Sequence, residues 1–269
     1  MTDPVRDASP QFAGRLIAAD GTQSAHRWRL AEEVPAAVLY NGQFFAVMIV
    51  TPADLEDFAV GFTVTEGIAA FDEIGEVRIA ETGDGFALNI KIADARMAGI
   101  DSRRRVLTGR SGCGICGAQT MDAAVAPPRA VTGQAPGVEA IARAYRELPD
   151  RQVMNRQNHT THAAGFAGVD GAVLTVREDV GRHNALDKLI GALLRARADP
   201  RVGFVIVSSR CSMELVQKAA MAGVPFMASV SAPTALAARL AAAAGMGLAA
   251  RSKDGIMLFD PSTNTGSFQ

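Results

Sequence analysis

The strongest constraint in this chain is the alternation over residues 203–250. Apolar, β-branched runs at 203–208, 225–230 and 246–250 are separated by helix-period segments at 212–222 and 232–244. Strands separated by whole helices cannot close as hairpins. The chain must cross over, so the strands lie parallel and the helices cover the sheet. The pattern predicts an α/β fold, a three-layer sandwich. Just upstream, "THAAGFAGVD" and "AVLTVRED" read as paired strands. "GRHNALDKLIGALLRAR" (181–197) reads as a helix with Leu186, Leu189, Ile190, Leu193 and Leu194 on one face.

The first half is mixed. "PAAVLYNGQFFAVMIV" (35–50) reads as a hairpin turning at Asn41-Gly42. "TPADLEDFAVGFTVTEG" (51–67) reads as a helix with Thr51 as N-cap and Pro52 at its first position. Leu55, Phe58, Ala59 and Phe62 form its apolar stripe. Short strands follow at 75–80 and 86–92, an irregular stretch at 99–137, and a helix at 138–148. The expected organisation is a polar lead-in (1–30), a smaller mixed α/β region (31–137), and an α/β domain (138–269). No internal repeat is visible.

Composition narrows the classes. The formal net charge of −1 argues against a general nucleic-acid binder, which needs a basic excess to neutralise phosphates. "MTDPVRDASPQFAGRL" has no apolar signal-peptide core, so a cytoplasmic location is expected. The most lipid-like stretch, "SAPTALAARLAAAAGMGLAA" (231–250), is alanine-rich and contains Arg239, which reads as a helix running into a strand rather than a membrane span. Three cysteines do not make a disulfide framework.

Two of those cysteines, Cys113 and Cys116, stand as C-x-x-C in "GRSGCGICG" (109–117), among four glycines. Such a pair can supply half of a tetrahedral zinc site, but no second CxxC or H-x-x-x-H completes it. A thioredoxin-like redox pair needs a helix start, which Gly112, Gly114 and Gly117 oppose. Nucleophilic sulfur transfer is the third chemistry: a thiolate, favoured by Arg110 and by Arg103–Arg105, takes a sulfane sulfur as a persulfide. The residues by themselves leave these readings open. The zinc deaminase signature is absent, because no histidine is followed by x-Glu and Gly112 stands where its proline would be.

"REDVGRHNALDK" (177–188) is the second concentration of charge. It sits at a strand-to-helix turn, where α/β sheets receive anions, and reads equally as a capped helix start with solvated charges. His162, Arg182 and His183 are candidate ligand contacts, and Ser208–Ser212 is a second anion-competent turn. Cys211 reads as a small packed side chain.

Taken together, "EEVPAAVLYNGQFFAVMIVTPADLEDFAVGF", "GRSGCGICG", "THAAGFA", "EDVGRHNALDKLIG" and "VQKAAMAGVPFMASVSAPTALA" resemble the formate dehydrogenase accessory sulfurtransferase family, in family order over roughly residues 32–237. The resemblance implies a cytidine-deaminase-like fold without its zinc chemistry, a homodimer, and no intrinsic metal. It implies a sulfur carrier that takes persulfide sulfur from a cysteine desulfurase. The acceptor would be the molybdenum bis(molybdopterin guanine dinucleotide) cofactor of the formate dehydrogenase catalytic subunit. By motif position Cys113 matches the persulfide carrier and Cys116 its partner. The family's cofactor-contacting stretch falls on Ala249, Ala250, Arg251, Ser252, Lys253 and Asp254, where the family's aromatic is replaced by alanine. GDP, a fragment of the cofactor, is the expected small ligand. A non-catalytic, cofactor-binding chaperone and a zinc-binding module are the alternative readings.

Overall fold

A computed structural model describes residues 6–100 and 128–261. The first hairpin pairs β1 (Gln11–Ile17) with β2 (Gln23–Arg29). It occupies the stretch read as a polar lead-in, and corrects that reading. Both strands are almost wholly exposed, so no buried stripe marks them in the sequence. The Trp28 ring lies 5.9 Å from that of His159 and ties the hairpin to the body.

Four strands form the next sheet, in the order β4-β3-β6-β5: β3 (Val34–Tyr40), β4 (Gln43–Val50), β5 (Ile74–Thr82) and β6 (Gly85–Ile92). The β3–β4 turn is built as the Asn-Gly pair predicts, with φ of 50° and 84° at Asn41 and Gly42. Along β3, Val34, Ala36, Val38 and Tyr40 alternate into the core. There they meet α1 (Leu55–Thr65) through Leu55, Phe58, Ala59 and Phe62, the predicted stripe. The helix begins three residues later than its sequence suggests. Its N-cap is Asp54, in the left-handed region at φ 53°, and Thr51 is buried elsewhere. A short α2 (Asp94–Met97) follows β6.

The larger sheet has six strands in the order β12-β11-β10-β9-β7-β8. They are β7 (His162–Gly168), β8 (Val173–Asp179), β9 (Gly203–Val207), β10 (Phe226–Ser229), β11 (Gly247–Ser252) and β12 (Gly255–Phe259). The predicted crossovers hold for β9, β10 and β11, which are parallel; β7, β8 and β12 add antiparallel flanks. Alternate residues of β9 explain the layering. Val205 and Val207 join the core under α5 (Arg182–Arg195), α6 (Met213–Met221) and α7 (Ala235–Ala244). Phe204 and Ile206 point the other way, to Ile141, Ala144 and Leu148 of α3 (Val138–Arg151). A four-residue α4 (Asn155–Asn158) leads into β7.

The two sheets are joined by α1 lying along α5. Glycines permit the approach. A Cβ on Gly61 would stand 1.7 Å from the Asp187 carbonyl oxygen, and one on Gly191 would stand 1.9 Å from that of Asp57. Residues 128–137 carry no helix or strand, and Val131 returns the chain into the larger core. On the other side of the CxxC segment, Ile100 is buried in the smaller core.

Candidate functional site

The parallel strands β9, β10 and β11 end on one edge of the larger sheet, and the antiparallel β7 begins there. Register places Ala164 of β7 opposite Val207, Ser229 opposite Val207 and Ala250, and His162 opposite Asp179. In order across five strands, the edge presents Arg251–Ser252, Ser229, Ser208, His162 and Asp179. Four inter-strand steps span roughly 19 Å. Helices α5, α6 and α7 all start on this edge, at Gly181, Ser212 and Thr234. Their free N–H groups and dipoles favour negative charge there.

Three buried side-chain atoms in this region have no hydrogen-bond partner among the described residues: Arg182 Nε, His183 Nε2 and Ser212 Oγ. Buried polar atoms are ordinarily paired; Arg182 and His183 share the turn that opens α5, whereas Ser212, at the start of α6, bears on the Glu214 carboxylate. His183 Nε2 lies 3.9 Å from Glu214 Oε2. Burial, then the Arg182 and Lys218 charges, lower the His183 pKa to about 4, so the ring is neutral at physiological pH. Burial and Arg182 also lower the pKa of His162. Burial alone would raise Glu214, but the nearby Ser212 hydroxyl, its own N–H and the His183 and Arg182 charges bring it below the usual carboxylate range. The edge therefore combines neutral imidazoles with Arg182, Arg210 and Arg251 as cations.

Behind this edge the charges of 177–188 are paired rather than solvated. Lys188 Nζ sits 2.7 Å from Asp179 Oδ2, both fully buried. Asp179 Oδ1 accepts from the Gly181 N–H and the Asn184 amide, at 2.8 and 2.9 Å, shaping the turn before α5. Glu178 accepts from the Met154 and Asn155 N–H groups. Asp57 of α1 receives both Arg177 and Arg195. Lys218 reaches Glu66 at 2.7 Å and Asp187 at 2.9 Å. Burial alone would lower its pKa, but these two carboxylates raise it.

The predicted residues divide accordingly. The structure brings His162, Arg182, His183, Arg251 and Ser252 to one edge. Ala249 and Ala250 are buried inside β11, while Lys253 and Asp254 form the exposed β11–β12 turn. Cys113 and Cys116 lie outside the described residues. Cys211 is packed beside Met227, and burial pushes its thiol up to about 12, an inert cysteine as its context suggests. Glu214, Ser229 and Thr234 were not singled out in the sequence; each is one polar residue at a strand or helix end, with no local signal beyond capping. Among the described residues no group of three His, Cys, Asp or Glu could hold a metal ion. No described helix is long and apolar enough to cross a membrane.

Comparison with known proteins places this geometry. The sulfur carrier protein FdhD of Xanthomonas campestris pv. campestris (strain B100) is 49% identical over 227 residues, covering 84% of this chain and 81% of the relative. The sulfur carrier protein FdhD of Bordetella petrii is 44% identical over 242 residues, covering 89% and 86%. A crystal structure from Desulfotalea psychrophila, described as that of a formate dehydrogenase accessory protein, superposes with a TM-score of 0.70 over 94% of this chain and 97% of its own, at 24% identity. That likeness concerns the mixed α/β fold. Residues 31–259 match the family model of FdhD/NarQ, and the chain belongs to the FdhD/NarQ family.

Proposed function

We propose that this protein is a sulfur carrier in the maturation of formate dehydrogenase, with Cys113 as the carrier. One observation carries the nucleotide half of the reading. Arg182 Nε and His183 Nε2 have no hydrogen-bond partner among the described residues, on an edge where three helices begin, an arrangement suited to the phosphates of an elongated ligand. Family membership supports the sulfur half. The acceptor in this reading is the molybdenum bis(molybdopterin guanine dinucleotide) cofactor, held as substrate, with Arg182, His183 and Arg251–Asp254 along its nucleotide arms.

The sulfur steps follow thiol chemistry. The Cys113 thiolate attacks the outer sulfur of a cysteine desulfurase persulfide, forming Cys113–S–SH and expelling the donor's cysteine thiolate. Release follows when the Cys116 thiolate attacks the inner sulfur, giving a Cys113–Cys116 disulfide and hydrosulfide for the acceptor. A dithiol reductant then resets the pair. In this reading the protein is a cytoplasmic homodimer and residues 138–269 form a cytidine-deaminase-like domain.

Mass spectrometry after incubation with a desulfurase and cysteine tests the carrier. A reductant-labile gain of about 32 Da, one sulfur, is expected on the wild type. An equal gain on Cys113→Ala would overturn the assignment.

A further inference from the structure

Thr51 directly follows β4, at the end of the smaller sheet, yet its N–H, hydroxyl and carbonyl each bond to the 179–188 segment at the edge of the larger one; the carbonyl also accepts from the Ala53 N–H at 2.8 Å. Its N–H donates to Asp179 Oδ2 at 2.9 Å. Its hydroxyl oxygen accepts from the Val180 N–H at 3.1 Å. Its carbonyl accepts from Lys188 Nζ at 2.9 Å. Thr51 is fully buried, as are Asp179 and Lys188, so no water can substitute for these bonds. One residue earlier but one, the Ile49 carbonyl accepts from the Asn184 side-chain amide at 2.8 Å. The strand end thus grips the turn on both sides of Gly181. Arg182 and His183, the residues with unpaired buried atoms, lie between those grips.

We propose that Thr51 is a positioning residue for the anion-receiving turn: from the smaller core it fixes where Arg182 and His183 stand. This rests on reading that turn as part of the nucleotide site. Thr51 touches no ligand. It acts through the Val180 N–H, and through Asp179, whose second oxygen holds the Gly181 N–H and Asn184. A threonine at the start of a helix-like run is ordinarily an N-cap, but here the helix starts at Leu55 and leaves the hydroxyl for this bond.

Two variants separate positioning from packing. Thr51→Val keeps the shape and removes the acceptor for Val180. Thr51→Ser keeps the acceptor and removes a methyl. Calorimetric titration with GDP is expected to show affinity about tenfold weaker for Thr51→Val, since misplacing binding groups by a fraction of an ångström has effects of this order. Thr51→Ser should stay within about twofold of wild type, because the acceptor for the Val180 N–H is kept and only a methyl is lost. Wild-type affinity in folded Thr51→Val, or equal weakening in both variants, would overturn the proposal.

Amide hydrogen exchange on the ligand-free proteins provides an arm that needs no nucleotide. Thr51→Val should exchange faster than wild type over 180–183, with α6 and β9 unchanged, and Thr51→Ser should not. If wild-type protein failed to bind GDP, the nucleotide reading would fall, and this pattern would still decide the role of Thr51. Unaltered exchange at 180–183 in Thr51→Val would refute it.

Discussion

The seam between α1 and α5 and the open edge of the larger sheet use the same short stretch of chain in opposite ways. Toward the seam, Asp179 pairs with Lys188, Asp187 with Lys218 and Arg177 with Asp57, so each of these charges has a partner. Toward the edge, three residues on from Asp179, Arg182 and His183 keep buried atoms without hydrogen-bond partners among the described residues. A chain that pairs its charges so fully on one side has the means to pair them on the other. The difference fits the proposed reading, in which the seam is structural and the edge receives a ligand. Glycine choice agrees: Gly61 and Gly191 bring the helices into contact at the seam, where any side chain would collide with backbone.

If that contrast is right, damage at the seam should cost stability and damage at the edge should cost binding. The largest effect is expected for Lys188→Met, which leaves Asp179 buried without its cation. A loss of about 3–5 kcal/mol in urea unfolding is expected. A variant as stable as wild type would break the account of the seam. Next comes Gly61→Ala, whose methyl must push α5 away from α1; destabilisation of about 1–3 kcal/mol should appear in the same experiment. At the edge, Arg182→Ala should leave stability within about 0.5 kcal/mol. A large loss of stability there would make Arg182 a structural residue.

A further effect is in protonation. Burial holds the folded pKa of His183 near 4, against an ordinary value of 6.5. As pH falls from 6.5, the unfolded chain binds its proton first. The stability from a neutral His183 is thus full above about 6.5 and is lost as pH falls through about 4. NMR titration should find the ring neutral at pH 6. A bound polyphosphate should raise its pKa toward the ordinary value, because an anion beside it favours the imidazolium. A free-protein pKa near 6.5 would mean that the ring is solvated and its site open to water.

Much of the fold is legible because it is periodic. The alternation at 203–250 gives the crossovers, and Asn41-Gly42 gives the first-sheet hairpin. The hairpin at 11–29 is not legible, because neither of its faces is buried and no pattern of burial is imposed on its sequence. Thr51 misleads for another reason. Its local context is that of a helix cap, and only tertiary contact with a turn more than a hundred residues away assigns its hydroxyl. The CxxC is conspicuous because it is local. The edge is legible only in part: its strand-to-helix turns stand out, but Glu214 of α6 and Ser229 of β10 are single residues of separate elements, each unremarked in its own neighbourhood.

The central claim is that the unpaired edge receives the guanine nucleotides of a cofactor. Calorimetric titration of the wild-type protein with GDP, with ADP as control, tests it most directly. The account predicts saturable GDP binding and much weaker ADP binding, since a site built for the guanine edge leaves buried groups unpaired against adenine. Binding to GDP should also be lost or sharply weakened in Arg182→Ala. Equal affinity for the two nucleotides, or no GDP binding at about 1 mM, would contradict the claim.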